Sequence, residues 1–184
     1  MTAEIGHFAL ILALLVALVQ SSLPMIGAAR GDHAWMATAR PAALVPCGFV
    51  AIAFGCLTAL YVTSDFSVLN VVQNSHTAKP LLYKISGVWG NHEGSLLLWV
   101  LILSLFGSAV AVFGANLPPA LKARVLSVQA MIAVGFYLFM LLTSNPFERV
   151  AVPPINGQDL NPLLQDFGLA IHPPMLYLGY VGFS

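Results

Sequence analysis

Apolar residues gather into four long runs, at residues 5–26, 42–64, 95–115 and 125–143, and polar residues gather in the segments between them. None of the four runs contains an acid, a lysine or an arginine. A bilayer core about 30 Å thick needs about 20 apolar residues in a helix, because every backbone polar group inside it must be paired within the segment. The pattern therefore predicts four membrane-spanning helices, the first with Pro24 near its far end. A fifth apolar run, at residues 173–184, holds twelve residues. It rises only about 18 Å as a helix, too little to cross. It is either a short interfacial or re-entrant helix or the incomplete start of a fifth span. The second is expected, since a chain end inside hydrocarbon would strand a carboxylate and several helix-end carbonyls. The N-terminus lacks the positive flank of a signal peptide and its apolar run is longer than a typical signal core, so it reads as a retained span. The expected fold is all-α: a polytopic helical membrane protein, one transmembrane domain over residues 1–184, with four full spans and the start of a fifth.

The connections differ in length and charge. The two short ones, at 27–41 and 116–124, hold Arg30, Arg40, Lys122 and Arg124 against Asp32. The longer ones hold Lys79, Lys84 and Arg149 against Asp65, Glu93, Glu148, Asp159 and Asp166. Cations concentrate in short cytoplasmic loops, so the short connections are expected inside, with the N-terminus and both long loops facing outward. Long structured loops are uncommon unless they do something, which puts the work on the outer side.

Composition agrees. The chain has 184 residues, 59% hydrophobic and 8% charged, with a mean hydropathy of +0.87. That charged share is too small to solvate a water-facing surface, which argues against a soluble monomer. Seven cations balance seven anions, so no overall positive field exists to hold a phosphate backbone, and no nucleic-acid partner is expected.

Candidate chemistry rests on few residues. Cys47 and Cys56 lie nine positions apart in one span, which puts them on opposite helix faces as small apolar fillers. There is no Cys-x-x-Cys-His site for covalent haem attachment. His7 falls at the outer mouth of the first span, His33 in an inner loop and His76 in a polar turn; none reads as a ligand at membrane depth. Without a histidine pair at that depth, the chain alone is expected to retain no haem b.

His92 stands in Trp89-Gly-Asn-His-Glu-Gly-Ser95, directly before the third span. This is either an interfacial turn anchored by Trp89 or a polar His92 and Glu93 pair on an aromatic platform facing a flat ligand or a partner loop. His172 stands in Gly168-Leu-Ala-Ile-His-Pro-Pro-Met175. Proline disfavours helix at the residue before it, so His172 is expected just outside the helix, with Pro173 in its first position. A helix N-terminus disfavours the imidazolium, which keeps the ring neutral and able to coordinate metal. The plainer alternative is a capping histidine packed at the interface.

Four segments, in order and spacing, carry a family resemblance: residues 89–99, 143–147, 159–166 and 171–177. They resemble the N-terminal region of the CcmF family, the large membrane subunit of the cytochrome c haem lyase. The resemblance implies the N-terminal portion of a larger multi-span protein that takes haem from a haem-chaperone on the outer side. Such a protein works with other lyase subunits and joins the haem to apocytochrome c. It further implies that His172, by its place in the His-Pro-Pro motif, ligates the haem iron. That would be the chain's only metal role, with no catalytic residue assigned and Trp89, His92 and Glu93 as lesser haem-contact candidates. The family's tryptophan-rich loop, second outward histidine and intramembrane histidine pair come later than this chain extends, so the chain alone is expected to be inactive. The expected site of action is the bacterial inner membrane, or the mitochondrial inner membrane in a split organellar system. The competing reading, a small transport or scaffold module, predicts for transport ionisable residues or broken helices at midplane. The four spans have neither, apart from Pro46 near an end.

Overall fold

The computed structural model describes residues 1–183; Ser184, the last residue of the expected fifth run, lies outside them. Helix α1 is Thr2–Arg30, α2 His33–Ala37, α3 Ala39–Thr63, α4 Leu69–Asn74, α5 Leu81–Gly87, α6 His92–Phe113, α7 Pro119–Leu142 and α8 Phe167–Val181. Among the described residues the only pairing of strand type is an isolated bridge between Val68 and Arg149. Four helical stretches among the described residues are long and apolar enough to cross a membrane: Thr2–Arg30, His33–Thr63, His92–Asn116 and Pro119–Leu142. The protein is therefore an all-helical, multi-pass membrane protein.

Each spanning helix begins or ends beyond the apolar run that marks it, because local chemistry completes the polar turns. Gly31 takes a left-handed conformation (φ 70°) and closes α1 with its N–H on the Gly27 carbonyl, the αL stop that glycine adopts without strain. Asp32 then starts α2 by accepting from the Ala34 and Trp35 N–H groups. Asn91 starts α6 in the same way, its side-chain oxygen accepting from Gly94 N–H at 2.8 Å.

Helix α1 packs on α3 and α7, and α6 packs on the same two, so the four spans form a closed ring. Small residues make this possible: α1 buries Ala3, Gly6, Ala9, Ala13, Ala17 and Gly27 along one face. In a membrane, where tail and side chain are equally apolar, such stripes hold helices together by close backbone approach. Two amides tie the ring at depth. Gln20 donates to the Leu126 carbonyl at 3.0 Å and Gln129 to the Leu103 carbonyl at 2.9 Å.

The N-terminus and both long connections meet at one end of the ring and interlock there. Leu69 N–H donates to the Glu148 carbonyl, Gln158 N–H to Val72 and Asp159 N–H to Ser75. Arg149 reaches Glu4, and the His7 ring meets the Asn145 side chain. Lys79, with a fully buried side chain, donates to the Asn74 carbonyl at 2.7 Å and pairs with Asp159 at 3.4 Å. Burial pushes the Lys79 ammonium below its ordinary value, opposed by the Asp159 charge. At Asp159, burial raises the carboxyl, but the Leu160 N–H and the Lys79 ammonium outweigh it and hold the group below the usual range.

The fifth helix corrects the sequence reading. It starts at Phe167, six residues before Pro173, and carries both prolines inside it. Two devices account for this. Asp166 caps the start by accepting from Leu169 N–H at 3.1 Å. The carbonyl of Ala170, which a residue at 174 would normally satisfy, cannot be reached by Pro174 because proline has no N–H. The indole N–H of Trp89 donates to it instead, at 2.8 Å. A donor 81 positions away replaces the missing one, so His172 lies within the helix rather than ahead of it.

Candidate functional site

Helix α8 packs along α6, with its start beside the N-terminal end of α6. Its inner contacts are the Trp89 bond to Ala170, a bond at 2.9 Å between Tyr177 Oη and Ser95 Oγ, and the Tyr177 ring against Trp99, centroids 5.1 Å apart. Trp99 in turn stacks on Phe136, and Trp89 on Phe54 with rings nearly parallel. These aromatics form a wall running from α3 through α6 to α7.

The opposite face of α8 is open. His172 is exposed there, on a surface that is otherwise apolar: Met175 is 62% exposed and Tyr180 66%, with Leu176 and Leu178 partly so. One turn beyond His172 lies a shallow cavity of about 330 Å³ lined by Met175, Leu176, Gly179, Tyr180 and Phe183. An imidazole on a helix beside such a surface can give a single nitrogen to a metal while the surface takes up a flat apolar ligand.

The residues around position 92 divide between two settings. His92 is exposed, and its ring meets Phe139 edge-on. Glu93 faces the interlocked loops, where its Oε2 accepts from Asn70 Nδ2 at 3.1 Å. The same Asn70 amide donates to Asn91 Oδ1, and Asn91 Nδ2 donates to the buried Tyr61 hydroxyl and to the Gly87 and Val88 carbonyls. Tyr61 closes the loop by donating to Asn70 Oδ1. The Trp89 to Ser95 motif is thus a tight turn knotted to α3 and α4. Gly94 is part of the knot, since a Cβ there would collide with the Val88 carbonyl oxygen.

Of the four residues singled out from sequence, His172 presents its ring outward, Trp89 spends its N–H on α8, Glu93 joins the buried network and His92 packs on α7. Sequence reasoning missed the roles of Tyr61, Asn70, Asn91 and Ser95. Asn91 alone left a signal, an asparagine three positions before a glycine at a helix start. The remaining histidines are spread: the His7 ring is engaged with Asn145, His76 Nδ1 accepts from Ala78 N–H, and His33 starts α2 at the opposite end. No cluster of three or more potential metal-binding side chains occurs among the described residues.

A ring of four spans, capped at one end by knotted loops and flanked by a short helix with an exposed imidazole, defines a polytopic membrane protein whose distinctive surface is that capped end. Residues 89–184, from Trp89 onward, match the family model described as cytochrome C assembly protein, and the chain belongs to that family. It is 66% identical over its whole length to the cytochrome c-type biogenesis protein CycK of Bradyrhizobium diazoefficiens. It is 60% identical, again over its whole length, to the cytochrome c-type biogenesis protein CcmF of Pseudomonas aeruginosa. A solved structure titled cytochrome c heme lyase CcmF superposes on 99% of the chain with a TM-score of 0.86 and 28% identity. The chain spans about 28% of the length of each of these relatives.

Proposed function

We propose that the chain is the portion of a cytochrome c haem lyase subunit that meets incoming haem at the outer face of the membrane. His172 supplies one axial ligand to the iron. Haem is here a substrate in transit, received from a haem-chaperone and passed to apocytochrome c with the help of other lyase subunits. The observation that carries the reading is the exposed imidazole of His172 on an apolar helix face. The donor set fits: imidazole is a common axial ligand, and the neighbouring Met175, Leu176 and Tyr180 suit a flat macrocycle. His172 would offer one nitrogen to the iron, holding the haem while it is in transit. Trp89, through Ala170, holds the helix that carries the ligand, while His92 and Glu93 belong to the turn that holds Trp89.

The side assignment completes the proposal. The cations Arg30, Arg40, Lys122 and Arg124 lie toward the end opposite the start of α8, which by the positive-inside rule puts that start, with His172 near it, on the outer side of a bacterial inner membrane. The reading is tested in the full-length protein. His172→Ala should abolish or sharply reduce cytochrome c maturation while leaving protein levels normal, and added imidazole should partly restore it. Maturation at the unaltered rate in His172→Ala would return the residue to a packing role at the interface.

A further inference from the structure

At the end of the ring opposite the start of α8, a cavity of about 400 Å³ opens between α2, the start of α3 and the junction of α6 with α7. His33, Arg40 and Lys122 line it, Met36, Leu117 and Pro119 add apolar wall, and no carboxylate faces it. The single acid of the two short connections, Asp32, is committed to the start of α2 through its bonds to Ala34 and Trp35. Among the described residues neither Arg40 nor Lys122 enters an ion pair. Lys122 Nζ donates once, to the Ala111 carbonyl at 2.8 Å, which leaves two of its three N–H groups for a ligand.

Depth identifies the ligand. The cavity sits where the spans end, at the level of the lipid headgroups of one leaflet. Beside it, at the end of α6 and the start of α7, Phe113 is 80% exposed, with Val112 and Leu121 also open. These exposed apolar side chains adjoin the lining residues Gly114 and Lys122 along the chain, and they offer a surface that acyl chains need and a free anion does not. Basic pockets between spanning helices on the cytoplasmic side are the arrangement that holds anionic headgroups. We propose that this cavity seats the phosphate headgroup of an anionic phospholipid, held by Arg40 and Lys122 with His33 as an additional hydrogen-bonding wall. The bound lipid would brace α2 and α3 against α7 at the rim of the buried cluster that Met36, Ala39, Ala123 and Leu126 form.

The test uses the full-length protein in phosphatidylcholine vesicles doped with phosphatidylglycerol, with retained lipid counted by native mass spectrometry after extraction. One phosphatidylglycerol per protein is expected. The double variant Arg40→Gln with Lys122→Gln should weaken retention about thirtyfold, two interfacial charges being lost. Arg124→Gln, whose side chain lines a separate groove with Phe106 and Val128, should leave retention nearly unchanged. The charge-conserving pair Arg40→Lys with Lys122→Arg should keep the lipid. Equal retention of phosphatidylcholine, an equal loss in Arg124→Gln, loss in the folded charge-conserving pair, or displacement by millimolar inorganic phosphate would each overturn the proposal.

Discussion

Replacing Trp89 with phenylalanine removes one hydrogen-bond donor and keeps an aromatic ring to stack on Phe54. The Ala170 carbonyl then has no donor, because Pro174 cannot provide one and Ala170 is only 5% exposed, beyond the reach of compensating solvent. A buried carbonyl left unsatisfied costs about 1–3 kcal/mol. Taking about 2 kcal/mol, the docked population of α8 relative to its open form falls roughly thirtyfold, each 1.4 kcal/mol being a factor of ten. The lost hydrogen bond involves no residue of α1, α3 or α7, and the ring that remains keeps the stack on Phe54 of α3, so these helices should be unaffected. Amide hydrogen exchange in detergent reads this out segment by segment. Protection in residues 175–181 should drop by about that factor in Trp89→Phe, while α1 and α3 remain as in the unaltered protein. Unchanged protection of α8 would show that the helix tolerates its two prolines without the indole, and that the Trp89 bond is incidental.

Gly94→Ala places a methyl group against the Val88 carbonyl oxygen inside the Tyr61, Asn70 and Asn91 knot; the yield of monodisperse protein on size exclusion should fall severely, and a normal yield would mean that the turn relaxes freely. Asp159, held below the ordinary carboxylate range, favours the folded state above its unfolded pKa of about 4, and this contribution is lost as pH falls through the lower folded value. The thermal-stability difference between the unaltered protein and Asp159→Asn should thus be present at pH 7 and shrink below about pH 4; a difference constant with pH would exclude the Lys79 pair as its origin. In a background lacking Cys47 and Cys56, a cysteine at Asn156 should react with an impermeant reagent from the outside, and reaction only after opening the inner face would reverse the topology.

The four spans were legible because apolar length alone decides them, and the turn at His76 because asparagine, serine and threonine compete locally for backbone groups. Asp32 illustrates the next level: its place before α2 is a local signal, yet α2 continues almost directly into α3, so the loop expected at 27–41 is largely helical. The start of α8 was not legible. The rule that proline disfavours helix before it is local and correct on average, and it placed the boundary at Pro173. What overrides it is the Trp89 indole, 81 positions distant, together with the Asp166 cap. The buried network failed to show for the same reason: Asn70 and Asn91 are 21 residues apart, and neither is unusual in its own neighbourhood. Trp89 read from sequence as an anchor at headgroup level; its N–H partner could be assigned only once α8 was seen against α6.

The central claim is that His172 bonds to iron, and the direct measurement is the absorption spectrum of haem titrated into the purified full-length protein and into its His172→Ala variant. The unaltered protein should bind one more low-spin, imidazole-ligated haem than the variant, and millimolar imidazole should restore that spectrum in the variant. Superposable spectra and equal stoichiometry in the two proteins would contradict the assignment of His172 to the iron.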